Sequence, residues 1–150
     1  MKIKISNIGV LYMKRILLLF ILITFLPLIS QAAFPIEYNK SFDITNNDVT
    51  LNLKNNTVTV SSKRPIKAMQ EFVITFNFAN ANIKSINTSS NMEMNMGKYD
   101  FLGNKINDNT YNVKLIVTKC MSGKTLWYTK VNVTYLDDSN EAFYIFFNTK

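Results

Sequence analysis

Glu71-Phe72-Val73-Ile74-Thr75-Phe76-Asn77-Phe78 places Phe72, Ile74, Phe76 and Phe78 at every second position, with Val73, Thr75 and Asn77 between them. In an extended chain successive side chains point to opposite faces, so this period of two yields one continuous apolar face and one mixed face. A helix, with its period of about 3.6, would spread the same residues round its axis. The segment therefore predicts a half-buried β-strand with Phe72, Ile74, Phe76 and Phe78 in the core.

Towards the N-terminus, Lys63-Arg64-Pro65 interrupts the pattern. Before it, Val49-Thr50-Leu51-Asn52-Leu53 and Thr57-Val58-Thr59-Val60-Ser61 alternate on either side of Lys54-Asn55-Asn56, which is the arrangement of a hairpin. Towards the C-terminus, Ile83-Lys84-Ser85-Ile86 reads as a short strand and Asn87-Thr88-Ser89-Ser90-Asn91 as a polar connection. Met92-Glu93-Met94-Asn95-Met96 then alternates again and ends at Gly97. Tyr111, Val113, Leu115 and Val117 share a face, and Lys119-Cys120-Met121-Ser122-Gly123-Lys124 turns the chain. Leu126-Trp127-Tyr128 opens a strand that continues through Val131, Val133 and Tyr135, and Asp137-Asp138-Ser139-Asn140 turns into Ala142-Phe143-Tyr144-Ile145-Phe146-Phe147. About seven strands without a long helix predict an all-β fold, an immunoglobulin-like β-sandwich, with a small open barrel as the alternative. Residues 33–150 show no internal repeat and no linker, and so read as a single domain.

The segment ahead of that domain has a different composition. It holds no Asp or Glu, carries Lys2, Lys4, Lys14 and Arg15, and then runs almost wholly apolar from Ile16 to Ile29. A helix that crosses a bilayer needs about 20 apolar residues, more than this run supplies, and Pro27 breaks its end. Ser30-Gln31-Ala32 places small residues where a signal peptidase reads them, so residues 1–32 are expected to be a signal peptide cleaved between Ala32 and Ala33. An uncleaved membrane anchor is the alternative. Met13-Lys14-Arg15 already begins a complete export signal, which leaves both Met1 and Met13 as candidate starts. The expected product is periplasmic or secreted, from a bacterium, with no stable membrane span after cleavage.

Charge and composition exclude several functions. Removing the four cations of the leader leaves 13 basic against 10 acidic residues, and the formal excess falls from +7 to +3. The remaining lysines stand singly among polar residues instead of forming the basic stripe with interleaved aromatics that phosphate recognition uses, so a nucleic-acid partner is not expected. No histidine is present, which removes the commonest general base near neutral pH and the commonest imidazole ligand. Ser-His-Asp and Cys-His arrangements cannot be built, and four glycines form no phosphate loop. Asp137 and Asp138, neighbours in a polar turn, read as solvated rather than as an acid/base pair. Trp127 and Tyr128 read as packing residues rather than a cation cage. The chain is expected not to be an enzyme.

What remains is sulfur. Met92, Met94 and Met96 at i, i+2 and i+4 would present three thioethers on one face of a strand. Thioethers are soft ligands that select Cu(I) over hard cations and never need deprotonating. Cys120 and Met121 add a thiol and a fourth thioether in the turn that follows. Other readings stand beside this one: the methionines as adaptable core side chains or a partner-facing surface, and Cys120, the one cysteine, as a buried inert thiol or an intermolecular disulfide partner.

Several of these elements together resemble the YtkA-like and FixH-like periplasmic domains of bacteria. They are Ile66-Lys67-Ala68-Met69-Gln70-Glu71 leading into an apolar strand, Met92-x-Met94-x-Met96-Gly97, Tyr111 opening a strand, Cys120-x-Ser122-Gly123, and Trp127. The resemblance covers Lys67 to Tyr135, roughly half of the mature chain. It implies an immunoglobulin-type sandwich found near copper handling and cytochrome oxidase assembly, with Met92, Met94, Met96 and Cys120 on the motif positions. The chain departs from these families in lacking histidine, which leaves a sulfur-based Cu(I) site, and in a leader that reads as cleavable where FixH-type proteins keep an anchor. The function expected is therefore a non-enzymatic Cu(I) carrier or oxidase-assembly accessory using Met92, Met94, Met96, Cys120 and Met121. The alternative is a metal-free module that docks another envelope protein.

Overall fold

Strands form where β-branched and aromatic residues alternate with polar ones. The structure is a computed structural model that describes residues 38–94 and 97–150. The leader, its Ala32–Ala33 cleavage site, both candidate starts and Met96 lie outside the described residues. A 3-10 turn at Lys40–Phe42 is followed by β1 (Val49–Asn52), β2 (Thr57–Ser62), β3 (Phe72–Phe78), β4 (Ile83–Met92), β5 (Tyr99–Leu102), β6 (Asn104–Lys105), β7 (Thr110–Leu115), β8 (Leu126–Tyr135) and β9 (Asn140–Asn148). Among the described residues no helix is long and apolar enough to cross a membrane.

Two antiparallel sheets result, one ordered β1-β2-β3-β7-β6 and the other β5-β4-β8-β9. The series β2-β3-β7-β6 and β5-β4-β8-β9 reproduce the A-B-E-D and C′-C-F-G orders of an immunoglobulin-type sandwich, and β1 extends the first sheet at its edge. The predicted all-β sandwich is thus the fold of the chain. The outer edge of β9 is partly closed by a parallel bridge between Asp43 and Phe146 and by the Ile44 N–H donating to the Phe146 carbonyl at 2.8 Å.

The core lies between the sheets. The four residues that fixed the reading of β3 are all buried, and Phe72 and Phe76 meet rings of the opposite sheet. Phe72 meets Phe147 edge-on with ring centroids 5.4 Å apart, and Phe76 meets Phe143 at 6.4 Å. Full burial of such a side chain contributes about 1.5 to 3 kcal/mol, most of it offset by the entropy of ordering the chain.

Two expectations change. The described residues form nine strands rather than about seven, because β5 and β6 are too short to alternate visibly. The supposed polar connection Asn87–Asn91 is instead the middle of β4, and β4 stops at Met92, with Glu93 and Met94 in a turn rather than in the strand predicted for them. Hydroxyl pairing explains the first half of that change. Ser90 and Thr129 are buried opposite one another, their oxygens 2.8 Å apart, so each satisfies the other inside the core. Polarity in the sequence therefore hid a core face made of Ile86, Thr88, Ser90 and Met92. Gly103 supports the exit from β5. Its N–H donates to the Ile86 carbonyl at 2.8 Å, and an added Cβ would stand 3.0 Å from the Ile86 Cβ.

Candidate functional site

Antiparallel pairing of β4 with β8 sets Met92 opposite Trp127. The chain leaving β4 and the chain entering β8 therefore meet at one end of the sandwich. The first carries Met94 in a turn directly after β4, and the second carries Cys120 and Ser122 before β8 begins.

Cys120 opens a tight turn closed by the Gly123 N–H, which donates to the Cys120 carbonyl at 3.2 Å. Gly123 has φ +79°, a conformation glycine adopts without the strain a Cβ brings. The turn folds Ser122 back, so that its hydroxyl oxygen lies 3.0 Å from the Cys120 Sγ and 3.0 Å from the Met94 Sδ. The two sulfurs are 3.9 Å apart. A hydroxyl has one proton, so Ser122 donates to only one sulfur at a time. With Cys120 protonated, the thiol donates within the cluster and Ser122 is free to donate to Met94. With Cys120 ionised, the stronger charge-assisted bond draws the Ser122 proton to the thiolate.

Hydrogen bonding shifts the thiol towards that second state. The Ser122 hydroxyl, and after it the Ser122 backbone N–H, holds the Cys120 thiol below its ordinary value, and the backbone N–H and charge of Lys124 act in the same direction against the opposing effect of burial. Hydrogen-bond donors and a cation beside a thiol favour its ionised form, while Cys120 itself is buried at the edge of the hydrophobic core. Lys124 also pairs with Glu93 at 3.3 Å, which ties the Cys120 turn to the Met94 turn.

The predicted sulfur residues separate into groups. Cys120 and Met94 are brought together, and Cys120 is buried while Met94 is 51% exposed. Met92 is 1% exposed and packs in the core, so it does not share a face with Met94 as strand periodicity predicts; the strand ends between them. Met121 sits in the same turn as Cys120 but stands fully exposed. Met96 lies outside the described residues. Sequence reasoning gave Ser122 no role of its own; the signal it offered was a hydroxyl two residues after the cysteine in a glycine-closed turn. Asp137 and Asp138 are exposed and separately engaged, by Ser139 and by Lys84, as expected of a solvated turn.

Among the described residues no three histidine, cysteine or carboxylate side chains gather to hold an ion, so a metal at this end depends on thioether sulfur beside the one thiol. The spacing suits that chemistry. With the zinc–thiolate length of about 2.3 Å as a guide, two sulfurs on one ion stand about 4.6 Å apart in a linear site and about 3.8 to 4.0 Å apart in a tetrahedral or trigonal one. Compared with protein-family models and with curated proteins, the chain matches none, so the resemblance to YtkA-like and FixH-like domains gains no support from them.

Proposed function

We propose that the processed chain, residues 33–150, is a non-enzymatic periplasmic or secreted protein that binds Cu(I) through Cys120 and Met94 and serves as a carrier or as an accessory in oxidase assembly. The observation that carries this reading is the 3.9 Å approach of the Cys120 and Met94 sulfurs, with the Ser122 hydroxyl against both. A thiolate and a thioether make a soft donor pair, and soft donors select Cu(I). The lowered thiol pKa supports the reading, because a metal ligand must be deprotonated and less proton has to be displaced. Exposure of Met94 leaves the site open to an incoming ion. Export is supported by the charged, apolar and small-residue sequence of residues 1–32.

Anaerobic titration with Cu(I) against a competing chelator tests the proposal. Uptake of one equivalent that is lost in Cys120→Ser and weakened in Met94→Leu supports it, and absence of uptake rejects it. A second reading, a metal-free module that docks another envelope protein, draws on Leu102 and Ile106. Both are exposed, Leu102 at the end of the edge strand β5 and Ile106 directly after the edge strand β6.

A further inference from the structure

We propose that the end of the sandwich opposite Cys120 binds a neutral saccharide, in a cavity of about 400 Å³ lined by Asn55, Asn82, Tyr135, Leu136 and Asp137. That volume falls within the range of about 300 to 1,000 Å³ of small-molecule sites. The β4–β8 register sets Ile83 opposite Tyr135 here and Met92 opposite Trp127 at the other end, so this site shares no residue with the Cys120–Met94 pair and rests on no part of the Cu(I) reading.

Side chains hold the walls of the cavity in place. Asn56 is buried and uses both ends of its carboxamide: its Nδ2 donates to the Asn80 carbonyl at 3.0 Å and to the Asn82 Oδ1 at 2.7 Å, and its Oδ1 accepts from the Thr57 N–H at 2.8 Å and the Asn80 N–H at 3.1 Å. The hairpin of β1 and β2 is thereby locked to the loop between β3 and β4. The Leu136 N–H donates to the Asn82 carbonyl at 2.9 Å, which fastens the loop between β8 and β9 to the same point. Glu141 accepts from the Lys54 N–H at 2.8 Å and from the Tyr135 hydroxyl at 2.9 Å, tying the hairpin to β8 and β9. Groups fixed in this way before binding lose little entropy when a ligand arrives.

The same bonds decide which groups a ligand meets. Because the Asn82 Oδ1 accepts from Asn56, its Nδ2 remains a donor without a partner among the described residues. The Asp137 Oδ1 accepts the N–H and the hydroxyl of Ser139 at 3.0 and 2.6 Å, and its Oδ2 remains an acceptor. Leu136, bonded to Asn82 and adjacent to Asp137 in the chain, is 64% exposed and offers an apolar surface. A cation would pair with Asp137 and leave the Asn82 donors unmet, and an anion would be repelled by Asp137 and Glu141. A hydroxyl is donor and acceptor at once, and a pyranose carries adjacent hydroxyls beside C–H faces that pack on apolar side chains. A neutral sugar meets all three groups.

The full chain is expressed with its leader, and the isotope-labelled exported product is titrated with maltotriose, cellotriose and mannotriose, and separately with calcium chloride, while the side-chain amide signals of Asn55 and Asn82 are followed by NMR. At least one trisaccharide is expected to shift these signals saturably. Asp137→Asn keeps the oxygen that Ser139 uses, so its melting temperature is expected to stay near the parent's while the sugar binds about tenfold or more weakly, as loss of a hydrogen bond to a charged group does. Leu136→Ser, which removes an exposed side chain, is expected to weaken binding about threefold or more. No saturable shift with any of the three sugars, parent-like affinity in both variants, or a response to calcium alone overturns the proposal.

Discussion

The Lys124 ammonium lies 3.3 Å from the Glu93 carboxylate, an ion pair that joins the turn holding Cys120 to the turn holding Met94. Both groups are substantially exposed, so the pair is worth at most about 1 kcal/mol to stability and is screened by salt. Its larger effect is on the site. Lys124→Gln is expected to leave the melting temperature nearly unchanged and to raise the thiol pKa of Cys120, because a favourable charge is removed. Comparing thermal melts with the pH midpoint of Cys120 alkylation checks both halves; a large loss of stability with an unmoved midpoint contradicts them.

Ser122 is the first cause of the depressed thiol pKa, so Ser122→Ala is expected to move the alkylation midpoint upward, from below that of free cysteine towards it. The sign for stability follows from the same linkage. Because the folded state favours the thiolate, the stabilisation is fully present above the unfolded thiol pKa and is lost as the pH falls through the lowered folded value. Parent and variant should therefore diverge in stability at alkaline pH and converge as the solution is acidified. Equal midpoints in the two proteins would refute the hydrogen-bond assignment.

Met92 and Met94 are two residues apart and predict opposite results. Met92→Leu conserves core volume and is expected to cost less than about 1.5 kcal/mol, with Cu(I) uptake unchanged. Met94→Leu is expected to leave stability intact and to weaken uptake. Urea denaturation together with chelator competition on each variant decides the matter, and weakened uptake in Met92→Leu would place the site deeper than the structure puts it.

Ser90 and Thr129 offer a test of the core. Thr129→Val alone leaves the buried Ser90 hydroxyl without its partner and is expected to cost about 1 to 3 kcal/mol. Adding Ser90→Ala should restore much of that loss, since two apolar groups then face one another. A double-mutant cycle by urea denaturation measures the coupling. Simple additivity would show that the hydroxyls do not pair.

Much of the sandwich was legible because burial on one face imposes period two. The hairpin of β1 and β2, with Leu51 opposite Val58, and the apolar faces of β3, β7, β8 and β9 all carry that signature. The signature failed where core positions are small and polar. Ser90 and Thr129 look solvated in sequence, and only their pairing across β4 and β8 makes them core. It also failed where alternation outlasts its strand. Met92 and Met94 keep the spacing of a strand, but the chain turns after Met92, so one sulfur is buried and the other meets Cys120. That meeting joins residues 26 positions apart and depends on the β4–β8 register, which local sequence does not encode.

Copper K-edge X-ray absorption of the Cu(I)-loaded exported protein tests the central claim most directly. The account predicts a coordination shell of sulfur at about 2.3 Å that loses a scatterer in Met94→Leu and collapses in Cys120→Ser. A shell built of oxygen or nitrogen, or a sulfur shell indifferent to both substitutions, would contradict it.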